Sequence, residues 1–230
     1  MFPLVMIPAL CCDAGLYEGV TAPLSDLVSI RIIVPYEATL KACADKVLNE
    51  VKGEFIVMGT SFGGHVAREV AFAAGERVKG LWIIGAGAGA VGNPQAGRER
   101  AAKLRDGKEE EVYKQFHRTV THLPGERGQW AADQFLAMAR RSDPRKVALQ
   151  ADALAARPDR WNELGRILCP TLLLWGVHDQ FAPAADALRM AGLIPHARYV
   201  EIAECGHLPS LEAPDEFIAA AQHWLADIRV

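Results

Sequence analysis

The chain has 230 residues, half of them hydrophobic and 23% charged, and a formal net charge of −3. That balance suits one α/β domain, or a domain carrying an insertion. With no basic cluster interleaved with aromatics, it gives no case for nucleic acid or an anionic membrane surface as a partner. Five scattered cysteines, an odd number, fit reduced thiols rather than a disulfide framework. Neither C-x-x-C nor H-E-x-x-H occurs, so neither a metal nor a cofactor is expected.

The apolar start Phe2–Leu10 runs into Cys11 and Cys12, but Pro3 and Pro8 interrupt it and the first basic residue is Arg31. A secretory signal would want a basic opening, so a cytoplasmic protein is expected. Leu4–Ile7 is predicted as the first strand, and Asp13–Leu27 as a helix disturbed by Pro23. Ser29–Val34 reads as the second strand, stopped by Pro35. Thr39 caps an amphipathic helix with apolar Leu40, Cys43, Ala44, Val47, Leu48 and Val51, ended by Gly53.

The stretch Glu54–Gly75 follows. Phe55–Met58 is an unbroken apolar run, as in a strand buried on both faces of a parallel sheet. From Phe62 the spacing is helical, with Val66, Val70, Ala73 and Ala74 on one side and Arg68, Glu69 and Glu76 largely on the other. Between them lies Gly59-Thr60-Ser61-Phe62-Gly63-Gly64, a G-x-S-x-G with one more glycine. A strand turning straight into a helix needs small residues around the turn. The turn strains the serine backbone and lifts its hydroxyl off the sheet edge, which is the nucleophile-elbow pattern. Ser61 is the candidate nucleophile.

Val78–Ile84 is predicted as the fourth strand, completing a series of right-handed crossovers in a parallel sheet. From Asn93 to about Arg160 no strand-like run occurs, and Gln95–Arg105, Lys108–Val120, Arg127–Arg141 and Pro144–Ala156 all read as helices. This block, 93–160, is read as a lid inserted into a core of 1–92 and 161–230. It holds fourteen Lys and Arg against ten Asp and Glu. A solvated helical surface accounts for that excess as well as an anionic substrate does. Alternation resumes with strand Thr171–Trp175, helix Pro183–Leu193, strand Arg198–Ile202 and helix Pro214–Ile228. The literal G-x-G-x-x-G at Gly87–Gly92 has no strand following within about thirty residues and runs into Pro94. It is read as a flexible exit into the lid, not as a dinucleotide site.

A serine hydroxyl needs a base and a group that orients the base. Later strand tips offer Asp179, in Gly176–Pro183, and His207, in Ala203–Pro209. Asp179 could instead cap the helix that starts near Pro183, and His178 is a rival base. His65 sits inside the helix after Ser61, where a packed or exposed role is the simpler reading, and His117, His122, His196 and His223 read as surface or packing residues.

G-T-S-F-G-G, W-G-x-x-D-x-x-x-P and C-G-H-x-P-x-x-E-x-P-x-x-F resemble the α/β-hydrolase superfamily over nearly the whole chain. The resemblance implies an α/β-hydrolase fold: a mostly parallel sheet of about six strands, helices on both faces, and a helical lid after the fourth strand. The family commonly carries two further strands ahead of the first one here. By this resemblance Ser61 is the nucleophile, Asp179 the orienting acid and His207 the general base. One oxyanion donor would be the backbone N–H of Phe62. The second would come from the loop after the first strand, where the family's His-Gly-x is replaced by Pro8-Ala9-Leu10, so Leu10 N–H is the candidate. Cys11 and Cys12 beside it are expected to be buried wall residues, with no basic neighbour to lower their pKa.

The function implied is hydrolysis of a small carboxylic ester or lactone through an acyl-enzyme, and the compact lid and Pro-Ala-Leu-Cys-Cys-Asp loop resemble small bacterial esterases and enol-lactonase-like hydrolases. The same three residues also serve C–C hydrolases, acyltransferases, perhydrolases and cofactor-free oxygenases, and some members are non-catalytic ligand receptors. Trp82, Phe116, Trp130 and Phe135 are candidates for an apolar pocket, with core packing the simpler reading for most of them. Arg100, Arg118 and Arg127 are candidates for meeting a substrate carboxylate, with no basis for choosing among them.

Overall fold

Apolar runs too short for helices and bounded by turn residues become the strands of one sheet. The computed structural model describes residues 2–228. Its strands are β1 (Leu4–Ile7), β2 (Ile30–Ile32), β3 (Phe55–Thr60), β4 (Val78–Ile84), β5 (Thr171–Gly176) and β6 (Ala197–Ile202). They form a six-stranded sheet in the order β2-β1-β3-β4-β5-β6, with every neighbouring pair parallel. β1, β3 and β5 are buried at every position, as expected of strands covered on both faces. β2 is shorter than the predicted Ser29–Val34. At the sheet edge only three of its residues find partners on β1, and none of the three is fully buried.

The helices are α1 (Glu18–Ser25), α2 (Leu40–Glu50), α3 (Phe62–Ala74), α4 (Pro94–Arg105), α5 (Glu109–His117), α6 (Gly128–Arg141), α7 (Pro144–Ala155), α8 (Ala184–Leu193), α9 (Pro209–Glu212) and α10 (Pro214–Ile228). The segment predicted as one helix from Asp13 divides into a 3₁₀ turn, Ala14–Tyr17, and α1, with the Asp13 carboxylate accepting from Gly15 N. Thr39 caps α2 by accepting from Ala42 N at 3.1 Å. Two more 3₁₀ turns follow, Gly75–Arg77 after α3 and Trp161–Arg166 after α7, the latter where the sequence predicts no element.

α3 departs from its predicted two-sided character. All positions from Phe62 to Ala71 are buried, including Arg68 and Glu69. The polar side meets protein instead of water. Arg68 donates to the carbonyls of Ala86 and Gly87 at 3.2 and 3.1 Å, and Glu69 takes a two-point contact from Arg160 at 2.7 and 2.9 Å. The outer face is roofed by two later pieces of chain, the loop after β4 over Arg68 and Arg160 over Glu69.

α4 to α7 sit between β4 and β5. Gly97 of α4 lies directly on Ala155 of α7, where an added methyl would come within 2.7 Å of the alanine Cβ. The block is tied to the rest by Arg160–Glu69, by Arg141–Asp13 at 2.5 Å, and by Gln150 donating to Pro35 O at 2.9 Å. Among the described residues no helix is long and apolar enough to cross a membrane.

Candidate active site

Parallel strands bring their C-terminal tips to one edge, and every sequence-derived candidate lies on that edge: Leu10 after β1, Ser61 after β3, Asp179 after β5 and His207 after β6. Ser61 has φ 54° and ψ −113°, and Cys11, at φ 66°, is the only other non-glycine with positive φ among the described residues. Such geometry costs on the order of 1–3 kcal/mol and persists only where the surroundings impose it. Here Ser61 N donates to Ile84 O at 2.7 Å and Ser61 O accepts from His65 N at 3.1 Å. The glycines around the serine are required by close approach: a methyl on Gly59 would overlap the Gly63 carbonyl, and one on Gly63 would overlap the Ile7 carbonyl. Beneath the turn, the buried Tyr17 hydroxyl joins two strand tips, donating to Ile7 O at 2.8 Å and lying 2.9 Å from Thr60 Oγ1.

His207 Nδ1 lies 2.7 Å from Asp179 Oδ2, with the side chains 5% and 2% exposed. The other Asp179 oxygen accepts from Phe181 N at 2.8 Å and Ala182 N at 3.1 Å. Asp179 does not cap α8, which starts at Ala184 behind Pro183 without a side-chain cap; one of its oxygens instead ties its own loop and the other faces His207. An ionised carboxylate only accepts, so the proton between them belongs on Nδ1 and Nε2 is left as an acceptor. Gly85, at φ 58°, makes room for the pair: a methyl there would stand 2.9 Å from His207 Nδ1 and 3.0 Å from Asp179 Oδ2.

One residue without a role in the sequence reading organises this loop. Buried Glu212, on α9, accepts from Gly206 N and Leu208 N on either side of His207, at 2.8 and 2.9 Å, and from His122 N at 2.7 Å. Burial raises its carboxyl pKa, against the pull of these three N–H groups. The glutamate of C-G-H-x-P-x-x-E was the available signal.

Ser61, His207 and Leu10 line one cavity of about 360 Å³, together with Phe116, Phe135, Phe181, Arg100 and Arg157 among others. This is the size range of a small-molecule site. Phe62, the first residue of α3, is fully buried behind it, and its N–H and that of Leu10 have no protein acceptor among the described residues. His65, read as a plain helical residue, also lines the cavity; burial and the nearby Arg68 and Arg157 hold its pKa well below the usual histidine value.

Several expectations need correction. Of the four aromatics proposed for the pocket, Phe116 and Phe135 line it. Trp82 is instead buried in the core against Phe217 and Trp224, and Trp130 is 46% exposed beneath Arg127. Two carbonyls of the Gly87–Gly92 loop are engaged by the chain after α7: Arg160 N donates to Ala88 O at 2.8 Å and Arg157 Nε to Gly89 O at 3.1 Å. Cys11 and Cys12 are buried as expected, yet basic neighbours do exist, Arg100 and Arg141 respectively. Burial outweighs them, pushing Cys11 up to about 12 and Cys12 well above its ordinary value. His178 does not line the cavity; its ring stacks on His122 at 3.7 Å. With Glu204 these two histidines place possible metal-ligating atoms within 4.8 Å of one another. Their planes are only 9° apart, however, so the in-plane lone pairs run side by side and do not meet at one ion.

The sequence pattern of the alpha/beta hydrolase family matches residues 15–221. The chain belongs to the alpha/beta hydrolase family. This hydrolase-family chain is 27% identical over 241 aligned positions to a pimeloyl-[acyl-carrier protein] methyl ester esterase of Nitrosomonas europaea, covering 94% of this chain and 92% of that one. It is 29% identical over 169 positions to a 2-hydroxy-6-oxononadienedioate/2-hydroxy-6-oxononatrienedioate hydrolase of Pseudomonas putida, covering 70% of this chain but 59% of the relative. Among solved structures, a thermophilic esterase from Thermogutta terrifontis superposes with a TM-score of 0.91 at 24% identity, over 100% of this chain and 91% of that one. An enol-lactonase from Burkholderia xenovorans gives 0.82 at 22% identity, over 98% and 92%. At such identities these structures establish the shared fold.

Proposed function

We propose that this hydrolase cleaves a small carboxylic ester or lactone through an acyl-enzyme on Ser61. The observation that carries the reading is a serine held at positive φ on a sheet tip, in one cavity with an imidazole whose far nitrogen is bonded to a buried carboxylate. Ser61 Oγ attacks the carbonyl carbon while His207 Nε2 takes its proton. The imidazolium that forms is stabilised by Asp179 through Nδ1–H. The N–H groups of Leu10 and Phe62 receive the developing oxyanion, each contributing roughly 3 kcal/mol. Collapse expels the alkoxide, which takes the proton from His207. Water, deprotonated by the same nitrogen, then attacks the acyl carbon; the bond to Ser61 Oγ breaks, and His207 returns the proton to that oxygen as the acid is released. For a lactone, alcohol and acid leave as one molecule.

The block 93–160 acts as a lid over the core formed by 1–92 and 161–230, since Arg100, Phe116 and Phe135 close the cavity from that side. The relatives named as an esterase and as a dioate hydrolase support carbonyl hydrolysis as the reaction class.

The test is a panel of short 4-nitrophenyl esters and γ- and δ-lactones, followed by product release and by acid liberation in a pH-stat. Wild type should turn over at least one member of the panel, and Ser61→Ala none. Full activity of a folded Ser61→Ala protein would refute the mechanism.

A further inference from the structure

A cation facing a cavity normally finds its counter-charge in the protein. The described residues hold two arginines at the wall of the cavity that contains Ser61, and they differ in this respect. Arg157 donates to Gly89 O at 3.1 Å and feels the carboxylate of Asp186, which lines the same wall. Arg100 makes no hydrogen bond and no ion pair with any described residue. Its guanidinium lies over the face of Phe116, 4.8 Å from the ring centroid, and the ionisable group that acts on it electrostatically is the buried thiol of Cys11. That thiol, pushed up to about 12, is neutral at ordinary pH and offers no charge.

Arg118 and Arg127, the other arginines singled out from the sequence, do not line the cavity. The first is exposed at the end of α5, and the second donates to Leu211 O at 3.0 Å and covers Trp130. The remaining titratable groups at the wall are Asp186, whose charge acts on Arg157, His207, bonded to Asp179, and His65, held neutral by burial.

We infer that Arg100 forms an anion subsite and that the ligand taken by this cavity carries a carboxylate remote from the bond that is cleaved. Partial burial already penalises the Arg100 charge, and its pKa is lowered accordingly. The ring of Phe116 offsets that cost only in part. An incoming carboxylate supplies the missing counter-charge in a partly dewatered site, where a charge-assisted pair is stronger than in bulk water. A row of ring contacts links the subsite to the proposed base: Phe116 to Phe181 at 5.7 Å and Phe181 to His207 at 4.9 Å. The aliphatic part of a ligand spanning the two ends would lie along these rings. On the hydrolase reading above, the substrate is a half-ester of a dicarboxylic acid, an ester of a hydroxy acid, or a lactone bearing a carboxylate; the anion subsite itself does not depend on that reading.

The experiment has two arms. Glutarate and its neutral counterpart glutaramide are titrated by calorimetry into Ser61→Ala protein, with and without Arg100→Gln, Arg100→Lys or, as a control, Arg118→Gln. Glutarate should bind the parent, lose about 30-fold or more in affinity with Gln, recover in part with Lys, and stay unchanged in the control. Glutaramide should bind far more weakly and respond little. In the second arm, monomethyl glutarate, which carries the charge on the acyl side, and O-butyrylglycolate, which carries it on the alcohol side, are compared with uncharged esters of equal length on otherwise native protein. Arg100→Gln should raise KM for whichever charged ester is turned over and leave the neutral esters within about 3-fold. Glutarate binding that is absent, or that survives Arg100→Gln unchanged in a folded protein, overturns the subsite. Arg100-dependent binding without turnover of any ester would leave the subsite standing and overturn the hydrolase reading instead.

Discussion

The two sides of the cavity are built differently. On the sheet side, Ser61, Asp179 and His207 are held by main chain: the serine by bonds to Ile84 O and His65 N, the aspartate by Phe181 N and Ala182 N, the histidine loop by Glu212. On the helical side, Arg100, Phe116 and Phe135 are long side chains that hold one another by ring contacts, Arg100 over Phe116 and Phe116 edge-on to Phe135 at 6.0 Å. A backbone-fixed constellation suits chemistry that fails with sub-ångström errors. A side-chain wall on separately packed helices can change what is bound without disturbing it.

That contrast can be broken most severely at its centre. Ser61→Ala should lower kcat roughly 10⁶-fold while leaving the protein folded, as checked by ester turnover beside circular dichroism. Asp179→Asn should lower kcat about 10⁴-fold, because an amide no longer fixes the imidazole tautomer. Its oxygen can still accept from Phe181 N and Ala182 N, so the thermal midpoint should move little. Gly85→Ala probes the backbone argument directly. The added methyl would press on both members of the His207–Asp179 pair at a positive φ, and kcat should fall about 10²-fold with a lower melting temperature.

Two further changes address how the helical side is attached. Glu69→Ala strips the buried partner from Arg160 and should cost about 2 kcal/mol in urea unfolding, below the usual figure for buried pairs because Arg160 is a quarter exposed. Asp13→Ala removes both the turn cap and the Arg141 bridge, for about 1 kcal/mol. Partial burial pushes the Asp13 carboxyl up, but the Arg141 guanidinium and Gly15 N–H outweigh it and hold it below the usual range. A folded pKa below the unfolded one stabilises above the unfolded value, near 4, and the gain disappears as pH falls through the folded pKa. The difference between wild type and Asp13→Ala should therefore shrink on acidification.

The same division decides what could be read from the sequence. The parallel sheet was legible because buried strands are short apolar runs, and β1, β3, β4 and β5 lie within a residue or two of their predicted ends. Ser61, Asp179 and His207 were legible because each sits in a turn whose glycines and prolines mark a strand tip. Contacts between distant segments left no local mark. Arg68 and Glu69 looked solvent-facing because nothing near them in sequence announces Arg160 or the Ala86 carbonyl. Arg100 could not be told from Arg118 or Arg127, since all three belong to polar helical stretches and only packing turns one toward the cavity.

The most direct test of the central claim, that Ser61 is a nucleophile activated by His207, is intact-mass labelling with a fluorophosphonate on wild type, Ser61→Ala and His207→Ala. One adduct is expected on wild type, none on Ser61→Ala, and a much slower reaction on His207→Ala. Equal labelling of folded wild type and Ser61→Ala, or wild-type speed without His207, would contradict it.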